Sequence, residues 1–172
     1  MALEEVHRRG VVHTDVKPGN ILLAQGSGTL GLPVNGQPVT IVGKLIDFGL
    51  AIDLQEPERN DVIRQPGRIA GTFAYAAPEQ TRSSRQVGPE ADLYALGGTM
   101  FFALTGRPPF PGGSSRDKIR RVRSDPAPRL SELGLVVPRR LDDLVHQLLE
   151  KKPGDRPRTA ALVADVLLGL KG

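Results

Sequence analysis

Residues 89–104 constrain the fold most, because this segment would carry apolar side chains on nearly all sides of a helix. Pro89 suits the first turn of a helix, and Gly106 with the prolines that follow would end it. A helix that is apolar all round must be enclosed by other elements, so we expect it at the centre of the core. Its uncharged part, residues 93–104, is too short for the roughly 20 residues that cross a bilayer, and we expect no membrane span.

The length of 172 residues predicts a single domain that buries one sizeable core. Hydrophobic residues make up 39% and charged residues 24%, which is typical of a soluble globular chain. The absence of cysteine excludes disulfides, thiolate zinc sites and cysteine nucleophiles, and it agrees with a reducing compartment. Glu4 and Glu5 stand where an export signal would carry positive charge. We therefore expect a cytoplasmic protein.

The chain is mildly basic, with 23 Lys and Arg against 19 Asp and Glu and a net charge of +4. Basic and acidic residues alternate, and the densest basic cluster is 116–123. Aromatic residues make up only 4%, which leaves few platforms for stacking bases. We expect a solvated basic face and no nucleic-acid partner.

Short elements surround the central helix. Apolar runs predict strands at 11–12, 21–23 and 44–46. Helical spacing predicts further helices at 2–9, 116–123, 139–150 and 159–170. In the last helix the expected apolar face comprises Leu162, Val163, Val166, Leu167 and Leu170. Residues 24–43 carry no charge, and their Asn35-Gly36 pair predicts a β-hairpin with a type I′ turn. The expected class is mainly α with a small β-hairpin region, an α+β fold.

The loop at residues 13–20, His-Thr-Asp-Val-Lys-Pro-Gly-Asn, holds the most informative set of polar groups. Asp15, Lys17 and Asn20 place a proton acceptor, a cation and an amide oxygen within six residues. Asp47 adds a second carboxylate after a strand, and the glycine at position 49 permits a sharp turn. Oxygen ligands from two loops suit magnesium, so we expect both loops to serve one site.

These two loops resemble the catalytic loop and the metal loop of the eukaryotic-type protein kinases. Further similar segments follow in the order of that family: 71–79, which resembles the end of the activation segment; 92–97, which resembles the buried central helix; and Asp155-Arg156-Pro157. Residues 104–110, Leu-Thr-Gly-Arg-Pro-Pro-Phe, look especially like bacterial serine/threonine kinases. The two loops and the segments 71–79, 92–97 and 155–157 make five motifs in order along nearly the whole chain, and this makes the resemblance specific.

The resemblance implies a role for each site residue. Asp15 would accept or orient the proton of the substrate hydroxyl, and Lys17 would steady the γ-phosphate of ATP. Asn20 and Asp47 would hold Mg²⁺, and Thr72 would bridge toward Asp15 and Lys17. Leu22 would be the floor beneath adenine. The ion pair of Glu79 with Arg156 and the carboxylate of Asp92 beneath the catalytic loop would be structural. His13 and Phe48 would pack on each other.

The same resemblance implies a domain organisation in which 1–172 form a truncated kinase domain, the lower lobe alone, with the upper lobe absent. Its parts are the catalytic loop 13–20, an inserted hairpin at about 24–43, the activation segment 47–79 and a helical remainder 80–172.

One glycine-rich segment could be mistaken for the missing nucleotide loop. Gly26–Gly31 matches G-x-G-x-x-G, and Lys44 follows on a strand. The segment lies after the catalytic loop, Pro33 stands where that motif has valine, and no helix separates Lys44 from Asp47. A dinucleotide fingerprint fails too, because Pro33 and Asn35-Gly36 prevent the required helix. We interpret the segment as part of an elongated hairpin.

Thr14 departs from the family, which commonly has arginine beside the catalytic aspartate. Residues 47–71 contain no serine, threonine or tyrosine. We therefore expect that phosphorylation within this stretch does not control the activation segment. A second departure, Ile52 in place of a basic residue, has no clear consequence.

Two functions remain open from the sequence. The first is the catalytic half of a serine/threonine kinase, with ATP and Mg²⁺ as cofactors and a protein as substrate, inactive without an upper lobe. The alternative is a pseudokinase-like binding module. In either case we expect an uncovered apolar surface around His13, Leu22 and Phe48, favouring self-association or capture by a chaperone.

Overall fold

The structure is a computed structural model that describes residues 2–26, 31–34, 37–55, 74–82 and 87–171; the side chains of 31–39 and 171 lie outside that description. Five helices and five strands follow one another along these ranges. The helices are α1 (Ala2–Arg8), α2 (Pro89–Thr105), α3 (Ser115–Ser124), α4 (Arg139–Leu148) and α5 (Ala160–Leu168). The strands are β1 (Val11–Val12), β2 (Ile21–Gln25), β3 (Gly31–Val34), β4 (Gln37–Leu45) and β5 (Ile52–Asp53). Short 3-10 turns lie at Pro18–Asn20, Ser131–Leu133, Pro153–Asp155 and Gly169–Lys171.

Helix α2 is the centre of the core, as its apolar surface predicts. Nine of its residues are buried: Ala91, Asp92, Leu93, Tyr94, Ala95, Gly97, Gly98, Thr99 and Phe101. Pro89 occupies the first turn, where its missing N–H costs nothing. Gly106 ends the helix at a φ of +73°, and its N–H donates to the carbonyl of Phe102 over 2.8 Å. One core cluster joins α2 to apolar side chains of α1, α4 and α5, and a second joins α2 to those of α4, β1 and residues 110–130.

The strands form two small antiparallel sheets. Strand β4 lies between β2 and β3, with Ile21 opposite Leu45 and Val34 opposite Gln37. The hairpin prediction is therefore confirmed, but its second arm is continuous with the strand before Asp47. The separate strand expected at 44–46 does not exist, because β4 runs without a break to Leu45. The turn at Asn35-Gly36 and residues 27–30 of the glycine-rich segment lie outside the described residues.

The second sheet pairs β1 with β5, so that Val12 faces Ile52. Both of these residues are buried. Strand β1 leads into the loop at 13–20 and β5 follows the loop that begins at Asp47, so this pairing brings the two loops to one side of the molecule.

Helix α4 differs from the prediction in where it ends, and helix α5 differs in which of its residues are buried. Helix α4 stops at Leu148, two residues early, where Leu149 leaves the helical conformation. In α5 only Ala160 and Val163 are buried, while Leu162 and Val166, both expected on the inner face, are exposed. The helix carries apolar residues on almost every side, so its spacing could not show which face packs inward.

No helix within the described ranges has the length and apolar character needed to cross a membrane.

Candidate active site

One buried carboxylate binds the backbone of the loop at 13–20. Asp92, on α2, accepts hydrogen bonds from the backbone N–H groups of His13 and Thr14, each over 2.8 Å. Its Oδ2 also lies 2.8 Å from Nε2 of His7, and since a carboxylate only accepts, His7 donates. Asp92 is fully buried, and these three donors satisfy a charge that would otherwise be costly there. The prediction that Asp92 supports this loop is confirmed.

His13 connects the first loop to the second. The fully buried imidazole donates from Nε2 to the carbonyl of Ile46 over 3.0 Å, and its Nδ1 accepts from the N–H of Asp15 over 3.3 Å. One donor and one acceptor are what a neutral imidazole offers. The His13 ring also meets Phe48 edge-on, with centroids 4.6 Å apart. The expected packing of these rings is confirmed, although His13 is not part of an exposed surface.

Asp15, Lys17 and Asn20 form one hydrogen-bonded cluster. The Lys17 ammonium lies 2.6 Å from Oδ2 of Asp15, and the Asn20 amide donates to the same oxygen over 3.0 Å. Asn20 Nδ2 also donates to the backbone carbonyl of Asp15 over 2.8 Å. About a fifth of the Asp15 side chain and a quarter of the Lys17 side chain are exposed, so a substrate could reach both. The structure thus brings together three of the predicted site residues.

A backbone hydrogen bond brings the residue before Asp47 to this cluster. The N–H of Ile46 donates to the carbonyl of Asn20 over 3.0 Å, which places the start of the second loop beside Asn20. Asp47 has a φ of +65°, a left-handed conformation that is rare outside glycine, and its Oδ1 accepts from the N–H of Gly49 over 3.3 Å. Within the described ranges no hydrogen bond or ion pair joins its carboxylate to Asp15, Lys17 or Asn20.

The donor set fits magnesium. Because Nδ2 of Asn20 donates to Asp15, Oδ1 is the amide atom left for a ligand, and Asp47 adds a carboxylate. Magnesium in proteins is bound by one or two such oxygens together with water and substrate phosphates. No group of three or more His, Cys, Asp or Glu side chains suited to a metal occurs in the described parts of the chain.

The remaining predicted residues are placed as follows. Leu22, on β2, is about half exposed and lies opposite Lys44, two residues after Asn20 along the chain. Glu79 and Arg156 form the expected ion pair through two bonds of 2.6 and 2.9 Å, with the Arg156 side chain fully buried. Thr72 lies outside the described residues.

Two contributors had no signal in the sequence. His7 binds Asp92 from α1, and Gln80 donates from Nε2 to the carbonyl of Thr14 over 2.7 Å. Each of these hydrogen bonds joins residues that are more than 60 positions apart in the sequence, and no local spacing relates such positions. Only the three-dimensional arrangement reveals them.

Comparisons with known proteins agree with this geometry. The protein kinase domain family matches residues 1–168, and the chain therefore belongs to that family. The probable serine/threonine-protein kinase PkwA of Thermomonospora curvata is 40% identical over 95% of this chain, which spans 19% of that protein. Serine/threonine-protein kinase PknB of Mycolicibacterium smegmatis is 34% identical over 93% of this chain and is covered over 23% of its own length.

Solved structures show the same fold. A crystal structure of the Rad53 kinase domain and SCD2 superposes with a TM-score of 0.67 at 25% identity, covering 95% of this chain and 49% of that one. A second, with AMPPNP bound, gives a TM-score of 0.65 at 24% identity and is covered over 52% of its chain. The protein thus has a protein-kinase-like fold and spans about half of these kinase chains and about a fifth of the curated relatives it matches.

Proposed function

We propose that these residues form the catalytic-loop lobe of a serine/threonine protein kinase, which transfers the γ-phosphate of ATP to a hydroxyl group of a protein. The observation that carries the proposal is the Asp15 carboxylate, whose Oδ2 is bound by both Lys17 and Asn20. Membership of the kinase family and the kinase names of the bacterial relatives support it. The share of the solved kinase chains that is covered, about half, supports assignment to one lobe.

Asp15 is the residue that acts on the substrate hydroxyl. Both neighbouring donors bind Oδ2, so within the described ranges Oδ1 is the oxygen left to accept the hydroxyl proton. The Lys17 ammonium, 2.6 Å from Asp15, lies close enough to stabilise negative charge on a phosphoryl group that approaches the same hydroxyl. Proximity and charge stabilisation account for most of the catalysis in this class of reaction.

Asn20 and Asp47 are the residues that would hold Mg²⁺, through Oδ1 of the amide and the carboxylate. When bound, the ion neutralises charge on the phosphates. The side chain of Leu22 supplies the apolar surface on which an adenine ring can lie. A bridging role for Thr72 remains a prediction, since that residue lies outside the described part of the chain.

The test is transfer of labelled phosphate from ATP to serine or threonine of a basic protein, with the complete product of the gene. Asp15→Asn should lower kcat at least about 100-fold, because a general base contributes that much or more. Asp143→Asn is the matched control: this exposed carboxylate on α4 pairs with Arg129 and should leave the rate unchanged. Equal incorporation by wild type and Asp15→Asn would remove Asp15 from the proposed role.

For the 172-residue polypeptide alone we expect little or no transfer. The solved kinase chains extend well beyond the half that this chain covers, and half of a nucleotide cleft cannot arrange ATP and a hydroxyl together.

A pseudokinase-like binding module is the second candidate. The exposure of Leu23 at 74%, Leu22 at 51% and Phe48 at 46% favours it, because apolar residues so exposed mark surfaces that partners cover. A complete gene product that binds a protein partner through this surface and transfers no phosphate would support this alternative.

A further inference from the structure

Thr14 lies at a junction of three segments. Its N–H donates to Oδ1 of Asp92 on α2 over 2.8 Å, and its hydroxyl donates to the carbonyl of Leu50 over 2.7 Å. Its carbonyl accepts from Nε2 of Gln80 over 2.7 Å. Leu50 follows the loop at Asp47, and Gln80 follows Glu79. One residue therefore joins the catalytic loop to the two described ends of the segment 47–79.

The backbone of Thr14 shows that this arrangement is imposed by its surroundings. Its φ is +64°, a left-handed conformation that is unfavourable for a β-branched residue. Such a conformation persists only where neighbouring contacts over-determine it. The three hydrogen bonds, one to each segment, supply those contacts.

Gln80 has a side-chain orientation that its partners determine. Its Oε1 accepts from the N–H of Ala77 over 2.8 Å, while its Nε2 donates to the carbonyl of Thr14. A flipped amide would place oxygen against oxygen and N–H against N–H, so only one orientation is possible. A glutamate at this position would keep the bond to Ala77 and lose the one to Thr14.

This junction acts directly on Asp15. The carbonyl of Thr14 and the N–H of Asp15 belong to the same planar peptide unit. Gln80 binds the carbonyl side of that plane, and Nδ1 of His13 binds its N–H side over 3.3 Å. The plane is thus fixed from both sides, and with it the direction in which the Asp15 carboxylate leaves the backbone.

We propose that Thr14 and Gln80 are positioning residues that dock both ends of the segment 47–79 on the catalytic loop without a phosphate. Residues 47–71 contain no serine, threonine or tyrosine that could be phosphorylated, and the hydrogen bonds from Thr14 to Leu50 and from Gln80 to Thr14 need no phosphate. The activity part of this proposal rests on the proposed kinase function. The docking part does not, because it concerns contacts that exist in the chain itself.

The first test is hydrogen exchange of the 172-residue chain, followed in peptides that cover 48–53 and 74–82. Thr14→Val has the same shape and the same β-branch but no hydroxyl, whereas Thr14→Ser keeps the hydroxyl. Thr14→Val should speed exchange at 48–53 about fivefold, the equivalent of one hydrogen bond, and Gln80→Glu should do so at 74–82. Thr14→Ser should match wild type. Thr105→Val is the control, because it removes a hydroxyl bonded to the carbonyls of Phe101 and Arg107 at the opposite end of α2 from Asp92.

The second test measures phosphate transfer by the complete gene product. Thr14→Val and Gln80→Glu should lower kcat about fivefold or more with KM for ATP within twofold, Thr14→Ser should restore the rate, and phosphatase treatment should leave it unchanged. Three results would overturn the proposal. Exchange could be unaltered in both variants, Thr14→Ser could be as impaired as Thr14→Val, or phosphatase could abolish the rate. If wild type transfers no phosphate, the proposed function fails and the exchange result alone decides the docking.

Discussion

Lys151 shows how a side chain whose charged end is buried can work against stability. Its Nζ is buried, lies 4.3 Å from the centroid of the Phe110 ring and 5.8 Å from that of Tyr94, and has no hydrogen-bond partner in the described structure. Burial lowers the pKa of Lys151 from 10.5 to about 8; Asp125 opposes this shift and Arg156 adds to it. The two aromatic faces recover part of the cost of desolvating the ammonium, since a cation over an aromatic ring contributes about 2 kcal/mol when it is desolvated.

We predict that Lys151→Met stabilises the protein at pH 7. Below pH 8 the folded and unfolded chains both carry the charge, so the full cost of burying it is present. Between about pH 8 and 10.5 the folded chain loses the proton before the unfolded chain does, so wild-type stability rises with pH. Because the side chain is partly exposed, we discount the gain to about 1 kcal/mol, or about 3 °C in Tm.

Thermal denaturation at pH 7 and pH 10 measures this effect. The advantage of Lys151→Met should shrink at the higher pH, while Lys152→Met, at an exposed neighbouring position, should show no such trend. An advantage that grew with pH would contradict the assignment of the effect to Lys151.

At the scale of elements, the packing of α2 on α4 depends on one glycine. A Cβ on Gly97 would lie 2.6 Å from Cβ of Leu148 and 3.4 Å from its backbone carbon, so a helix would have to move. Gly97→Ala should therefore lower the free energy of unfolding by about 1–3 kcal/mol, more than the ~1 kcal/mol that alanine adds to a helix.

Gly98→Ala is the matched comparison, because its nearest neighbour is the ring edge of Tyr75 at 3.2 Å, which can shift. Urea unfolding of both variants measures the difference. If Gly97→Ala is as stable as Gly98→Ala, close helix contact at this glycine is not what positions α4.

The helices were predictable because prolines, glycines and caps mark their ends. Pro89 and Gly106 bound α2, and Thr159 caps α5 with its side chain, which accepts from the N–H of Leu162. The length of β4 was not predictable, since Gly43 within an uncharged run gave no sign that the strand continues. In the site, the cluster of Asp15, Lys17 and Asn20 was predictable because these residues are close in sequence. The hydrogen bond from Gln80 to Thr14 was not, because it joins residues 66 positions apart.

At the scale of the whole molecule, a few polar bridges connect segments far apart in sequence. Arg156 binds Glu79 and also donates to the carbonyls of Glu90 and Glu150, so it joins the end of the segment 47–79 to α2 and to the turn that follows α4. The ring of Tyr94 lies beneath the guanidinium, 4.9 Å away. A buried charge with this many partners is satisfied, and loss of either member of the pair would leave the other uncompensated.

The central claim is that the two loops serve one metal and nucleotide site, and paramagnetic broadening tests it most directly. Mn²⁺ with ATP is titrated into the ¹⁵N-labelled 172-residue chain, and the side-chain amide of Asn20 and the backbone amide of Gly49 are followed by NMR. The account predicts that both signals broaden together and before those of exposed acidic surfaces, and that Asp47→Asn abolishes this. Sharp Asn20 and Gly49 signals at concentrations that broaden other regions would contradict it.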